Sequence, residues 1–372
     1  MDSATVVTPP HLARPLRLEP FRALSLSPNR IGDPASARLF SRPYRAVAQR
    51  LQQWESRGRM RSDTAPAVYL HEYTATGATV RGLVGAMDLT HHATEPAQRA
   101  VLPHEGIHPR QADELADRME EMLINPAPIL LVHQGTDALR DEVSAIAAGR
   151  PLWEFDDRGG QHHRVWAIRE PGTIERLQAQ LEETTALIAD GHHRYAAYLR
   201  VQSRLDMPPA DRGLTMLVDQ RDTPLHLGAI HRTLTGVRLP DVRRATELVG
   251  LTAQEVVLDN PLNALEHDTL VATDGRTWVR IQLPVTPERT AVELVHHGLL
   301  PALPRGPQSV AYHHSVDEAL RRRGGNTVTL LMPAPTVEQV LATARAGRLL
   351  PEKATSFQPK PHVGVLIRSL RT

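Results

Sequence analysis

The run ALIAD, residues 186–190, passes without a break into GHHRYAAYLRVQSRL, residues 191–205. A short apolar strand pattern meets a helical one with only Gly191 between them. A bend this tight needs a backbone free to leave the usual φ range, which glycine supplies. Such a strand–turn–helix junction belongs to folds that mix helices and strands in one layered core. The rest of the chain reads in the same way. Helical spacing runs over 43–57, 113–124, 136–149, 173–183, 240–249 and 336–347. Strand patterns cover AVYLHEY and VRGLVGAMDL, with Gly77 marking a hairpin turn between them. Further strands are read at 128–135, 164–168, 214–219, within 268–283, at 327–332 and in the closing VGVLIRSL. The class is therefore α/β or α+β, with short mixed sheets and helices. Residues 1–35, rich in Pro and Arg, read as a loose arm. An N-terminal lobe is expected over 36–150 and a C-terminal lobe over 151–372, with RRRGGN (321–326) as a loop and weak boundary.

The junction also concentrates chemistry. Asp190, Gly191, His192, His193 and Arg194 stand at the mouth of the turn, where the first N–H groups of a helix point outward and favour an anion. Arg194 adds a forked donor matched to phosphate, and the two imidazoles add further donors. Asp190 can orient a histidine, hold a metal or accept a proton. The plainer reading is a capped turn with two exposed histidines.

His104-Glu105-Gly106-Ile107-His108 fits the letters of a zinc-protease motif. That chemistry needs both histidines on one helical face, and Pro103, Gly106 and Pro109 oppose a helix there. His104 and Glu105 remain as polar loop candidates. Five His-His pairs occur, at 91–92, 162–163, 192–193, 296–297 and 313–314. Neighbours on a strand face opposite ways, so a pair is not a chelate by itself, and most are expected at the solvent. PLHLGAIHR (224–232) follows the strand LTMLVD and offers His231 and Arg232 as companions to the Asp190 elbow.

Only two of the 43 basic residues are lysines, Lys353 and Lys360, both in PEKATSFQPK. Arg-biased codon use alone would leave few lysines. A site that needs a compact point charge, such as a phosphate contact, would keep them here. The 42 acidic residues leave a net charge of +1, which excludes a generally basic nucleic-acid binder. The absence of cysteine excludes disulfides, thiol nucleophiles, iron–sulfur clusters and thiolate zinc sites. No Walker A, G-x-G-x-x-G or G-x-S-x-G motif is present. No secretory signal or membrane-length apolar stretch is visible, so a cytoplasmic protein is expected.

Taken together, EPFRAL (19–24), PYRAV (43–47), VLPHEGI (101–107), NPAPILLV (125–132), ADGHHRYAAYL (189–199), MLVD (216–219), PLHLGAIHR and LLPEKATSFQPKPHVGVLI (349–367) resemble domain-of-unknown-function family 1015 over nearly the whole chain. The resemblance also accounts for both lysines. RPYRAV (42–47) departs from it by lacking an acidic residue after the tyrosine. The D-G-H-H-R block is similar to that of ParB/sulfiredoxin-like proteins, which implies such an element around residues 185–235. It is also similar to that of free serine kinases.

This resemblance implies a phosphotransferase that uses ATP or ADP and Mg²⁺ on a small hydroxyl-bearing metabolite, with free serine as a candidate acceptor. Asp190, His192, His193 and Glu105 would be catalytic. Gly191, Arg194, His231, Arg232, Lys353 and Lys360 would hold nucleotide phosphates. Asp190 and Glu105 would hold Mg²⁺, with His104 nearby. The expected partners are the nucleotide and a small-molecule substrate, with no nucleic acid and no membrane; self-association is left open. The alternatives are a ParB-like nucleotide-binding regulatory module without kinase activity, and nucleotide hydrolysis.

Overall fold

A computed structural model describes residues 6–41, 47–257, 261–321 and 326–371. The two apolar runs around Gly77 form an antiparallel hairpin, Val68–Ala75 with Ala78–Asp88. Its two-residue turn, Thr76-Gly77, has φ of 50° and 81°. Two positive φ values in succession match the right-handed twist of the flanking strands.

The chain divides into two units, Met1–Leu225 with Pro359–Thr372, and His226–Gln358. The hairpin lies at the centre of a mixed sheet in the first unit. On one side it continues through His162–Ile168 to Trp153–Asp156, all antiparallel. On the other side Ala78–Asp88 pairs antiparallel with Arg212–Asp219, which runs parallel to Ile129–His133. Ala186–Asp190 follows, antiparallel to Ile129–His133, and Val101–Leu102 closes the edge in parallel. The interior strands are apolar on both faces, as ILLV and LIA are, because helices cover them. Those helices are Pro109–Met122, Asp137–Ala147, Pro171–Leu181 and His192–Arg204.

The helix expected at 113–124 begins earlier, at Pro109. Proline loses nothing at the first helical position, where its missing N–H would have no intrahelical partner. It stops at Met122 because Leu123 turns left-handed, with φ of 51°. The last strand is only Ile367–Ser369, since Gly364 at φ 101° leaves the extended region. The helix read over 43–57 is Val47–Ser56, and residues 43–46 lie outside the described residues, as does most of the 321–326 loop. Position 150 falls inside the first unit.

Residues 6–35 do not form a loose arm. Leu12, Leu16 and Leu18 are buried in the main core, and Leu18–Glu19 pairs with Ala86 and Met87. Three leucines set among prolines and arginines outweigh the polar composition around them. Gly85 makes the contact possible, because a Cβ there would stand 2.7 Å from Leu18 Cβ.

The second unit contains an antiparallel sheet in the order Ala253–Val256, Trp278–Gln282, Thr269–Thr273, Thr327–Leu331, His231–Thr235, Ser309–His313. Leu239–Leu248 and Val337–Arg345 are its longer helices. Mixed α/β is thus the observed class. Among the described residues no helix is long and apolar enough to cross a membrane.

Gly85→Ala should force Leu18 and its backbone away from the sheet. A loss of about 1–3 kcal/mol is expected, read as a lower midpoint in chemical denaturation.

Candidate functional site

The strand Ala186–Asp190 carries a bulge just before the turn. Ile188 faces Leu131 and Asp190 faces Leu130, so Ala189 is an extra residue. A bulge re-aims the side chain that follows it. Gly191 then takes φ of 98° and caps the helix His192–Arg204 without any side-chain cap. The Asp190 carboxylate is occupied elsewhere: Oδ2 accepts from Arg194 and Oδ1 from the Lys360 ammonium. Arg194 also donates to the Pro128 carbonyl, and its guanidinium lies over Gly191, where a Cβ would meet it at 3.0 Å.

Lys360 reaches Asp190 on a tethered strap. The Tyr73 hydroxyl donates to the Pro359 carbonyl at 2.7 Å, and Gln161 Nε2 donates to the Lys360 carbonyl at 2.8 Å. The His362 N–H donates back to Gln161 Oε1 at 3.0 Å.

The HEGIH segment is a loop, as its prolines and Gly106 predict. It docks on the elbow through the two histidines. The His104 and Glu105 N–H groups donate to His192 Nε2 at 3.3 and 3.4 Å, and the His108 N–H donates to His193 Nε2 at 3.1 Å. The His104 ring meets the His192 ring edge-on at 4.6 Å between centroids, and the rings of His108 and His193 stack at 5.9 Å. On that side both imidazoles accept hydrogen bonds. Asp190, Gly191, His192, His193, Arg194, Lys360, His104 and Glu105 thus come together in the first unit.

His231, Arg232 and Lys353 belong to the second unit. His231 Nδ1 accepts from the Met332 N–H at 3.1 Å. Arg232 is wholly buried and donates to His296 Nε2 at 2.9 Å, to the Lys353 carbonyl at 3.1 Å and to the Ile230 carbonyl. Arg232 therefore braces this unit with neutral acceptors, and burial pushes its pKa down to about 10.

Burial would raise the Asp190 pKa, but the charges of Arg194 and Lys360 outweigh it and hold the carboxyl below its ordinary range. For His192, burial first and then the neighbouring His193 and Lys360 lower the pKa to about 3. Mg²⁺ demands near-octahedral oxygen ligands. Each Asp190 oxygen already serves a cation, and among the described residues no three acidic or imidazole groups gather at the elbow. Asp190 can therefore hold Mg²⁺ only after releasing Arg194 or Lys360.

The expectation that most paired histidines face solvent fails at His163 and His192, both buried. His163 belongs to a cluster that sequence reading missed. Asp157 Oδ2 stands 2.9 Å from His163 Nε2 and 2.6 Å from His362 Nδ1. The alternation rule carried the signal: His162 faces outward to Asp156, so His163 must face inward.

Because His192 accepts backbone N–H groups, it must stay neutral in the folded state. Its unfolded pKa is about 6.5. Stability is therefore complete above that value and falls as pH drops toward the folded value, by up to about 1.4 kcal/mol per pH unit. Melting temperatures at pH 7, 6 and 5 should decline, and His192→Gln should flatten that decline.

No curated protein matches the chain in sequence. Solved structures give remote likenesses. A free serine kinase variant in complex with ADP is 16% identical over 73% of this chain and 90% of its own, with a TM-score of 0.39. SbnI with a C-terminal truncation, from Staphylococcus aureus, is 11% identical over 77% and 88%, with a TM-score of 0.44. A conserved hypothetical protein from Pyrococcus furiosus is 15% identical over 73% and 93%, with a TM-score of 0.36. The model of a family described as a protein of unknown function, DUF1015, matches residues 3–299, short of the block with Lys353 and Lys360. The chain belongs to the DUF1015 family.

Proposed function

We propose that the elbow binds the terminal phosphates of a nucleotide, ATP or ADP, and passes one phosphoryl group to a small hydroxyl-bearing metabolite. One observation carries this reading: two cations from distant parts of the chain, Arg194 and Lys360, converge at an uncapped helix N-terminus beside Gly191. With Asp190 between them the cluster keeps a net charge of +1, to which the helix adds about half a charge. An arriving phosphate competes with Asp190 for the two cations. Glycine at 191 leaves room for the Arg194 guanidinium beside the first helical N–H groups.

In the transfer, the acceptor oxygen bonds to phosphorus as the bond to the remaining nucleotide breaks. The acceptor proton passes to a carboxylate, that of Asp190 once released or that of Glu105. The loop with Glu105 is held at the elbow by His192 and His193, which act as positioning residues. The transition state of phosphoryl transfer is loose, so positioning and charge stabilisation matter more than a strong base. Arg194 and Lys360 supply that stabilisation. Free serine is the acceptor to test first, on the resemblance of the D-G-H-H-R block. His231, Arg232 and Lys353 have no part in this reading.

Purified protein incubated with ATP or ADP and a pool of hydroxyl amino acids and sugars should yield a product with a phosphate-mass gain by mass spectrometry. Arg194→Ala and Lys360→Ala should each weaken ADP binding at least tenfold by calorimetry, about 1.4 kcal/mol or more. Unchanged affinity in folded variants would remove the elbow as the phosphate site. Binding without turnover would favour the regulatory module.

A further inference from the structure

Away from the elbow, three side chains of the first unit form a compact donor set. Asp157 and His163 have fully buried side chains, and that of His362 is about one-third exposed. One donor atom from each lies within 4.8 Å of the others. Asp157 lies at the end of one strand, His163 on the next, and His362 on the strap that carries Lys360.

The surroundings hold these groups in place. Asp157 Oδ1 accepts the Gln161 N–H at 2.9 Å. Two glycines press on the His362 ring. A Cβ at Gly159 would stand 2.4 Å from its Cε1, and one at Gly32, where φ is 73°, would stand 3.1 Å from its Nδ1. His163 Nδ1 lies 3.0 Å from His71 Nε2, and His71 is itself buried. A hydrogen-bond partner on the far ring nitrogen fixes the tautomer of a ligating imidazole.

The charge is unbalanced. Among the described residues, no lysine or arginine pairs with Asp157, whose ion-pair partners are the two imidazoles. A buried carboxylate is costly without a compensating cation.

We propose that Asp157, His163 and His362 bind one zinc-class divalent cation, which staples the C-terminal strap to the strand pair bearing Asp157 and His163. Two imidazoles and one carboxylate suit Zn²⁺ or Co²⁺ and disfavour the oxygen-seeking Mg²⁺ and Ca²⁺. Bonds of about 2.0–2.2 Å in a tetrahedron separate ligand atoms by about 3.3 Å. The observed spacings of 2.9 and 2.6 Å must widen by about 0.4 and 0.7 Å to meet it. On binding, His163 Nε2 presents its lone pair to the ion. Its proton then sits on Nδ1 and is donated to His71 Nε2, so His71 carries its own proton on Nδ1. Water fills the fourth position from the exposed side of His362. The site is separate from the elbow and does not depend on its function.

Zn²⁺ equilibrium dialysis of the metal-stripped full chain, with Co²⁺ absorption spectra, tests this. One equivalent should bind with micromolar or tighter affinity, and the Co²⁺ protein should show visible bands of tetrahedral type. His163→Gln and His362→Gln should each weaken binding at least tenfold. The exposed neighbour His162 serves as control, and His162→Gln should leave binding unchanged. Zn²⁺ should raise the melting temperature of the wild type but not of His362→Gln, a change at a partly exposed side chain that spares the core. Absence of wild-type binding would overturn the proposal. So would stoichiometric binding that survives the double change His163→Gln and His362→Gln with the fold intact by circular dichroism.

Discussion

The carboxylate of Asp190 is the constraint on which the elbow is built. It gathers the guanidinium of Arg194 from its own helix and the ammonium of Lys360 from the far end of the chain. Two positive groups about 4 Å apart near a protein surface repel by roughly 4 kcal/mol, and the positive end of a helix adds to that. An intervening carboxylate makes the approach favourable. Asp190 is itself aimed by the bulge at Ala189 and freed from capping duty by Gly191. Backbone irregularity, charge and the return of the C-terminal strap are thus one arrangement.

Neutral histidine does the complementary work. His192 and His193 take the backbone N–H groups of His104, Glu105 and His108, while Ile107 between them bridges to Val7. An imidazole can accept only while unprotonated, so the pairing fixes which ring nitrogen carries the proton. A lysine or arginine in their place could donate but not accept. The same logic recurs in the second unit, where His231 accepts from Met332 and His296 from Arg232.

The parts legible in the sequence are those whose partners are close along the chain. The elbow could be read because ALIAD and GHHRYAAYL adjoin, and the hairpin because Gly77 sits between two alternating runs. The HEGIH loop followed from two prolines and a glycine. What escaped notice depends on distant return. Residues 226–358 form their own unit, and the chain rejoins the first unit at Pro359. No composition shift marks either crossing, and the block PLHLGAIHR straddles the first. Asp157, His163 and His362 could not be grouped for the same reason, since about two hundred residues separate the last from the other two. The burial of Leu12, Leu16 and Leu18 is masked in the sequence by the prolines and arginines around them.

The choice of lysine at 360 follows from the geometry at Asp190. A guanidinium is a planar fork that seeks two oxygens at once, whereas an ammonium is a compact charge satisfied by one. Arg194 already takes Oδ2, and Oδ1 is left for a single donor. A second fork there would compete with Arg194 for the same carboxylate and would have to tilt off the strap that Gln161 and Tyr73 hold. A chain with 43 basic residues that is otherwise almost entirely arginine thus places one of its two lysines where an arginine fits least. The shared carboxylate accounts for an ammonium rather than a second fork at position 360.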